Sequence, residues 1–302
     1  MSEPTLNYVQ CPDSQGGHRM AYWAWGAPDA ARTVVCVHGL SRQGRDFDVL
    51  AQALVARSPA PLRVLCPDVV GRGRSDFLRD PMGYQIPTYA ADMLSMAQQL
   101  GLHEVDWVGT SMGGLIGMAV AAHGASVGLK VRRLVLNDVG PVLQWEAIQR
   151  IGQYLGQVVY FDTLQQAADA MWQVSTTFGP HTPAQWLALS RPMVKPAADG
   201  SARLQLHYDP AIAVPFSQVT QETSLQGEAL LWQMYDAIAA DTLLLRGADS
   251  DLLSVATAQA MAQRGPRARM VEFPGVGHAP TLVAADQVAV VTQFLLQGAH
   301  AA

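Results

Sequence analysis

Short runs of aliphatic and β-branched residues recur along this chain, and after most of them the spacing shifts to one apolar residue every three or four positions. Thr33–Val37, Arg63–Cys66, Val105–Gly109, Arg133–Leu136, Thr242–Leu245 and Arg269–Phe273 read as buried strands. Between them, Phe47, Leu50, Ala51, Leu54 and Val55 recur at helical spacing. Pro87 to Leu100 reads as a helix stopped by Gly101, Met112 to His123 as a helix of small and apolar residues, and Asp286 to Leu296 as a last helix. Parallel strands need long crossovers, usually helices, so this alternation predicts an α/β fold with a mostly parallel, doubly wound sheet.

The alternation lapses from Pro141 to Ala237, where amphipathic helical stretches and Pro-containing loops replace the strands and four of the seven tryptophans fall. The expected organisation is one core, residues 1–140 and 238–302, with a helical insertion at 141–237 after the strand ending at Asp138. No apolar run approaches the length of about 18 residues that crosses a bilayer. The N-terminal stretch lacks the basic start and apolar core of a signal peptide, so a cytoplasmic location and no membrane association are expected. A net charge of −5 with no basic cluster among aromatics argues against nucleic acid as a partner. The pairs Arg72/Arg74 and Arg132/Arg133 are expected to be solvated. Cys11, Cys36 and Cys66 fit no disulfide framework or zinc spacing, and neither a metal nor a cofactor is expected.

Gly109-Thr110-Ser111-Met112-Gly113 stands between a strand and a helix. A strand-to-helix turn this sharp strains its central residue and exposes its hydroxyl at the carboxyl end of a sheet, while flanking glycines keep side chains away. The helix N-terminus behind it favours developing negative charge. Such a serine needs a base. His278 lies in Pro274-Gly275-Val276-Gly277-His278-Ala279-Pro280, a turn-rich loop after the last strand that can carry an imidazole to the serine. His38 is expected to be structural, and His18, His103, His123, His181 and His300 to sit at the surface or at helix ends.

The order Ser111, an acid, then His278 resembles the α/β-hydrolase superfamily. So do Val37-His38-Gly39-Leu40 and Pro67-Asp68-Val69-Val70-Gly71-Arg72-Gly73-Arg74-Ser75, and the similarity covers residues of roughly 30 to 140 and 238 to 297. The resemblance implies an oxyanion hole formed by the backbone N–H groups of Leu40 and Met112, a donor of this kind being worth about 3 kcal/mol. It also implies an acid three residues after the glycine of Leu245-Arg246-Gly247, but Ser250 stands there. Asp251 is the favoured acid. Asp138 comes second, because some branches take the acid from that earlier strand end, and Asp249 third. The resemblance further implies that the insertion caps the active site.

A serine nucleophile implies acyl-enzyme chemistry on a small-molecule ester or a related acyl compound, as in a carboxylesterase. A lactonase or C–C bond hydrolase with the same triad is the alternative, and a non-catalytic member of the fold the remote one. Arg42, Trp145 and Tyr208 are candidate substrate contacts. The insertion holds eight Asp or Glu against four Lys or Arg, which argues against polyanionic substrates. Arg45 and Asp46 are expected to pair, and nothing in the sequence fixes an oligomeric state.

Overall fold

The computed structural model describes residues 3–297. The chain opens with an antiparallel hairpin, β1 (Thr5–Cys11) and β2 (His18–Gly26), followed by β3 (Arg32–Val37), α1 (Asp48–Arg57), β4 (Leu62–Pro67), α2 (Ile86–Gln99), β5 (Glu104–Thr110), α3 (Met112–His123) and β6 (Lys130–Asn137). The insertion carries α4 (Trp145–Tyr154), β7 (Tyr160–Phe161), α5 (Leu164–Gln173), α6 (Pro183–Ser190), β8 (Val194–Pro196), β9 (Leu204–Leu206), α7 (Ala213–Phe216) and α8 (Gln221–Asp236). The core resumes with β10 (Asp241–Gly247), α9 (Val255–Met261), β11 (Arg269–Phe273) and α10 (Ala285–Leu296).

Eight strands form one sheet in the order β1-β2-β4-β3-β5-β6-β10-β11, parallel from β4 onward. Alternate side chains of each strand serve opposite faces, and both faces are covered by apolar clusters. One gathers Met93, Met96, Trp107, Ile116, Leu134 and Leu244; the other gathers Val34, Leu50, Leu54, Leu245, Val291 and Phe294. Cys11, Cys36 and Cys66 are free and buried, as small hydrophobes.

The insertion is not purely helical. β7, β9 and β8 form a small antiparallel sheet, too short for its period to register in the sequence. Its helices start where local chemistry directs: the Thr163 hydroxyl accepts from the Gln166 N–H, and Thr182 and Gln185 form a capping box ahead of Pro183. Trp186 fixes the insertion's own core, packing edge-on against Trp172 at 5.0 Å and donating its indole N–H to the Ala168 carbonyl at 2.8 Å. Among the described residues, no helix is long and apolar enough to cross a membrane.

Candidate active site

β3 and β5 are neighbours, and the loops leaving their carboxyl ends form the crevice where ligands bind in open α/β sheets. Ser111 sits in the turn from β5 to α3 with φ of 52°, a left-handed conformation costly for a residue with a Cβ. The turn closes because its neighbours are glycines. A Cβ on Gly109 would come within 2.2 Å of the Gly113 carbonyl oxygen, and one on Gly113 within 2.0 Å of that of Val37. The β3 loop lies so near that a Cβ on Gly39 would be 3.7 Å from that of Ser111.

His278, on the loop after β11, accepts from the Ser111 hydroxyl through Nε2 at 2.9 Å. Its Nδ1–H donates to Oδ2 of Asp138 at 2.7 Å. The carboxylate against the histidine is therefore Asp138, not the favoured Asp251. Asp138 leaves β6 in the left-handed region, φ 55°, and is completely buried. Its Oδ1 accepts from the Gly247 N–H at 2.9 Å, and its Oδ2 accepts a second bond, from the Ser250 hydroxyl at 2.6 Å. Asp251 instead turns outward to pair with Arg150 at 2.8 Å, and Asp249 is exposed. Two further contacts steady the histidine loop. Asn137 Nδ2 bridges Thr110 Oγ1 and the Pro280 carbonyl, and from the insertion Thr177 accepts from the Gly277 N–H and donates to the His278 carbonyl. No sequence signal pointed to Thr177.

No described residue accepts a hydrogen bond from the N–H of Leu40 or of Met112. The peptide carrying the Leu40 N–H is fixed from behind. His38, fully buried, donates from Nδ1 to the Gly39 carbonyl at 2.7 Å while its Nε2 accepts from the Val69 N–H at 2.9 Å. Burial depresses its pKa to about 3, so it is a neutral strut. Arg72 is equally buried, against the expectation of a solvated pair with Arg74, because its guanidinium is drawn inward by the carbonyls of Leu40 and Val70. Arg133 is buried too, donating to the carbonyls of Leu295 and Gln297.

The serine opens onto a cavity of about 270 Å³ between the strand ends and the insertion. Its walls are mostly apolar, with Ile151, Val159, Phe161, Met171, Phe178 and Leu206 contributed by the insertion. Arg42 and Tyr208, anticipated as substrate contacts, both line it; Trp145 does not, because it opens α4 and is half-buried elsewhere. Arg42, rather than Arg45, pairs with Asp46, at 2.6 Å, and Arg45 pairs with Asp48. Arg150 also lines the cavity, unanticipated. None of the insertion's eight carboxylates does, so its acidic balance does not describe the cavity.

Two histidines expected at the surface are held inside. His18 is buried between Asp13 at 2.8 Å and Asp92 at 3.0 Å, and His181 is half-buried against Trp172 and Trp186. His103 and His123 are exposed, and His300 lies outside the described residues.

Comparison with known proteins gives the family. Residues 34–291 match the model of the alpha/beta hydrolase family. The chain is 48% identical, over 97% of its length and 98% of the relative's, to a 3-hydroxybutyrate-oligomer hydrolase of Cupriavidus necator. It is 27% identical, over 90% of its length and 93% of the relative's, to a non-heme haloperoxidase of Rhodococcus erythropolis. Among solved structures, an alpha/beta hydrolase from Novosphingobium aromaticivorans superposes with a TM-score of 0.83 at 34% identity, covering 98% of this chain and 99% of that one.

Proposed function

The chain belongs to the alpha/beta hydrolase family, and from that premise we propose that it is a serine esterase acting on short hydroxyacyl esters, 3-hydroxybutyrate oligomers being the leading substrates. The observation that carries this reading is the unbroken chain from Ser111 through His278 to Asp138, at 2.9 and 2.7 Å, on the floor of a largely apolar cavity.

In this mechanism Ser111 Oγ attacks the ester carbonyl as His278 Nε2 takes its proton. Asp138 keeps the proton on Nδ1, orients the ring and stabilises the imidazolium that forms. The N–H groups of Leu40 and Met112 receive the oxyanion. The tetrahedral intermediate collapses, His278 gives its proton to the departing alkoxide, and an acyl group remains on Ser111. Water, deprotonated by the same histidine, then releases the acid. The insertion, residues 141–237, acts as the cap that shapes the acyl pocket.

The lining suits an acidic oligomer. It contains Arg42 and Arg150 and no Asp or Glu. Arg42 is committed, with both Asp46 oxygens bound and the Leu189 carbonyl beside it. Arg150 is the more exposed of the two: it is paired with Asp251, but that pair stands partly in water, where such a pair is weak. It is the cation placed to take the terminal carboxylate.

The test is hydrolysis of a 3-hydroxybutyrate trimer beside p-nitrophenyl butyrate, a lactone and a vinylogous diketone acid. Release of monomer and dimer, lost in Ser111→Ala, is the expected result. Turnover of only the lactone or only the diketone acid would replace this reading with the lactonase or the C–C bond hydrolase.

A further inference from the structure

Arg72 is a full positive charge with no exposed surface, and no described carboxylate lies within 4 Å of its guanidinium. Burying an unpaired ion is expensive, and a structural role alone would be filled as well by an apolar side chain of similar volume. What the guanidinium touches gives the cost a purpose. Nε donates to the Leu40 carbonyl at 2.8 Å, Nη1 donates to the Val70 carbonyl at 2.7 Å, and Nη2 lies 3.5 Å from Sδ of Met112. The rings of Tyr89 and Tyr84 flank it, with centroids 4.9 and 5.8 Å away, and lend their faces to the charge. The residues it touches, Leu40 through its carbonyl and Met112 through its sulfur, are the two whose N–H groups have no acceptor among the described residues.

We infer that Arg72 is the cationic backing of the oxyanion hole: it positions the Leu40 and Met112 donors and its charge stabilises the anion that forms in front of them. The inference rests on the proposal that those two N–H groups receive the oxyanion. His38 pins the peptide before Leu40 through the Gly39 carbonyl, and Arg72 pins the peptide after it through the Leu40 carbonyl, so the Leu40 N–H is held from both sides. The dry surroundings strengthen the field. A fixed charge in a water-excluded site acts on developing charge with no reorganisation at the moment of reaction. Arg72 does not touch the substrate, so it is a positioning residue.

The test compares two inhibitors of the same acyl shape. A trifluoromethyl ketone adds Ser111 to form an anionic hemiketal, whereas the matching methyl ketone binds as a neutral carbonyl. Arg72→Gln is expected to weaken the trifluoromethyl ketone about 10- to 100-fold, with a matching fall in kcat/KM, and the methyl ketone less than about threefold. Arg72→Lys, which keeps the charge, is expected to recover most of the difference between the two ketones. Equal weakening of both ketones, no weakening of either, or a lysine variant as poor as the glutamine one overturns the inference. Should Arg72→Gln not fold, Arg72→Met, whose apolar chain suits the same buried space, carries the same outcomes. The two levels of failure are distinguishable, because a wild-type enzyme that forms no trifluoromethyl ketone adduct on Ser111 would refute the serine-esterase reading itself.

Discussion

The hydroxyl of Ser250 donates to Oδ2 of Asp138 at 2.6 Å. That oxygen is also the one that takes the His278 Nδ1–H, so Ser250 supports the carboxylate that holds the histidine. Ser250 is itself held, its oxygen accepting from the N–H groups of Leu252 and Leu253. Asp138→Asn should lower kcat by about 10³- to 10⁴-fold, because an amide presents the wrong partner to Nδ1. Asp251→Asn should stay within about threefold of wild type, losing only a solvent-exposed pair with Arg150. Ser250→Ala should fall between them, about tenfold in kcat with KM unchanged, from loss of one charge-assisted hydrogen bond. Steady-state kinetics on the four proteins decides; an inactive Asp251→Asn beside an active Asp138→Asn would reverse the assignment.

Why the sequence ranked these carboxylates wrongly is a matter of register. Counting from Gly247 leads to Ser250 and then to its nearest acidic neighbour, but one residue along a loop is enough to turn a side chain from the histidine to solvent. Asp251 makes that turn. Asp138 was legible only as a strand end, and its left-handed backbone, which aims the carboxylate under the histidine loop, leaves no pattern in a single sequence. The core strands were legible for the opposite reason: buried on both faces, they read as near-continuous apolar runs. Met112–His123 and Arg269–Phe273 fall where periodicity put them. The hairpin Thr5–Cys11 and His18–Gly26 was missed because its edge strand mixes exposed and buried residues, and β7, β8 and β9 because strands of two or three residues have no period to read. Arg72 was misjudged because charge in a glycine-rich loop usually means water, and only the fold supplies the carbonyls that draw it inside.

The cavity's more exposed arginine, Arg150, makes a prediction about substrate ends. Wild-type enzyme should prefer the free acid of a 3-hydroxybutyrate dimer or trimer over its methyl ester, though the scissile ester is the same. Arg150→Gln should shrink that preference by about tenfold, read as the ratio of kcat/KM values within each variant so that any general loss cancels. Equal turnover of acid and methyl ester by the wild type would remove Arg150 from substrate recognition.

His38 ties stability to pH. Burial lowers its pKa from the ordinary 6.5 to about 3, so across that window the unfolded chain binds a proton that the folded protein does not. The stabilisation is complete above pH 6.5 and is lost as pH falls through the window, at about 1.4 kcal/mol per pH unit. Asp68, whose carboxyl burial pushes up to about 6, has the opposite slope above its ordinary value, but it is present in both proteins compared. His38→Asn keeps a donor for the Gly39 carbonyl and removes the titration. Urea unfolding of the two proteins should therefore show a stability gap that narrows from pH 7 to pH 4.5; a gap independent of pH would contradict a neutral buried His38.

Ser111 is expected to become covalently acylated during turnover, and intact-protein mass measurement detects the acyl group. Quenching wild-type enzyme in acid within milliseconds of mixing with p-nitrophenyl butyrate should trap a species heavier by one butyryl group, with peptide mapping placing the group on Ser111 and Ser111→Ala forming none. Turnover that proceeds with no acylated species, or an acyl group that persists on another residue in Ser111→Ala, would rule out Ser111 as the nucleophile.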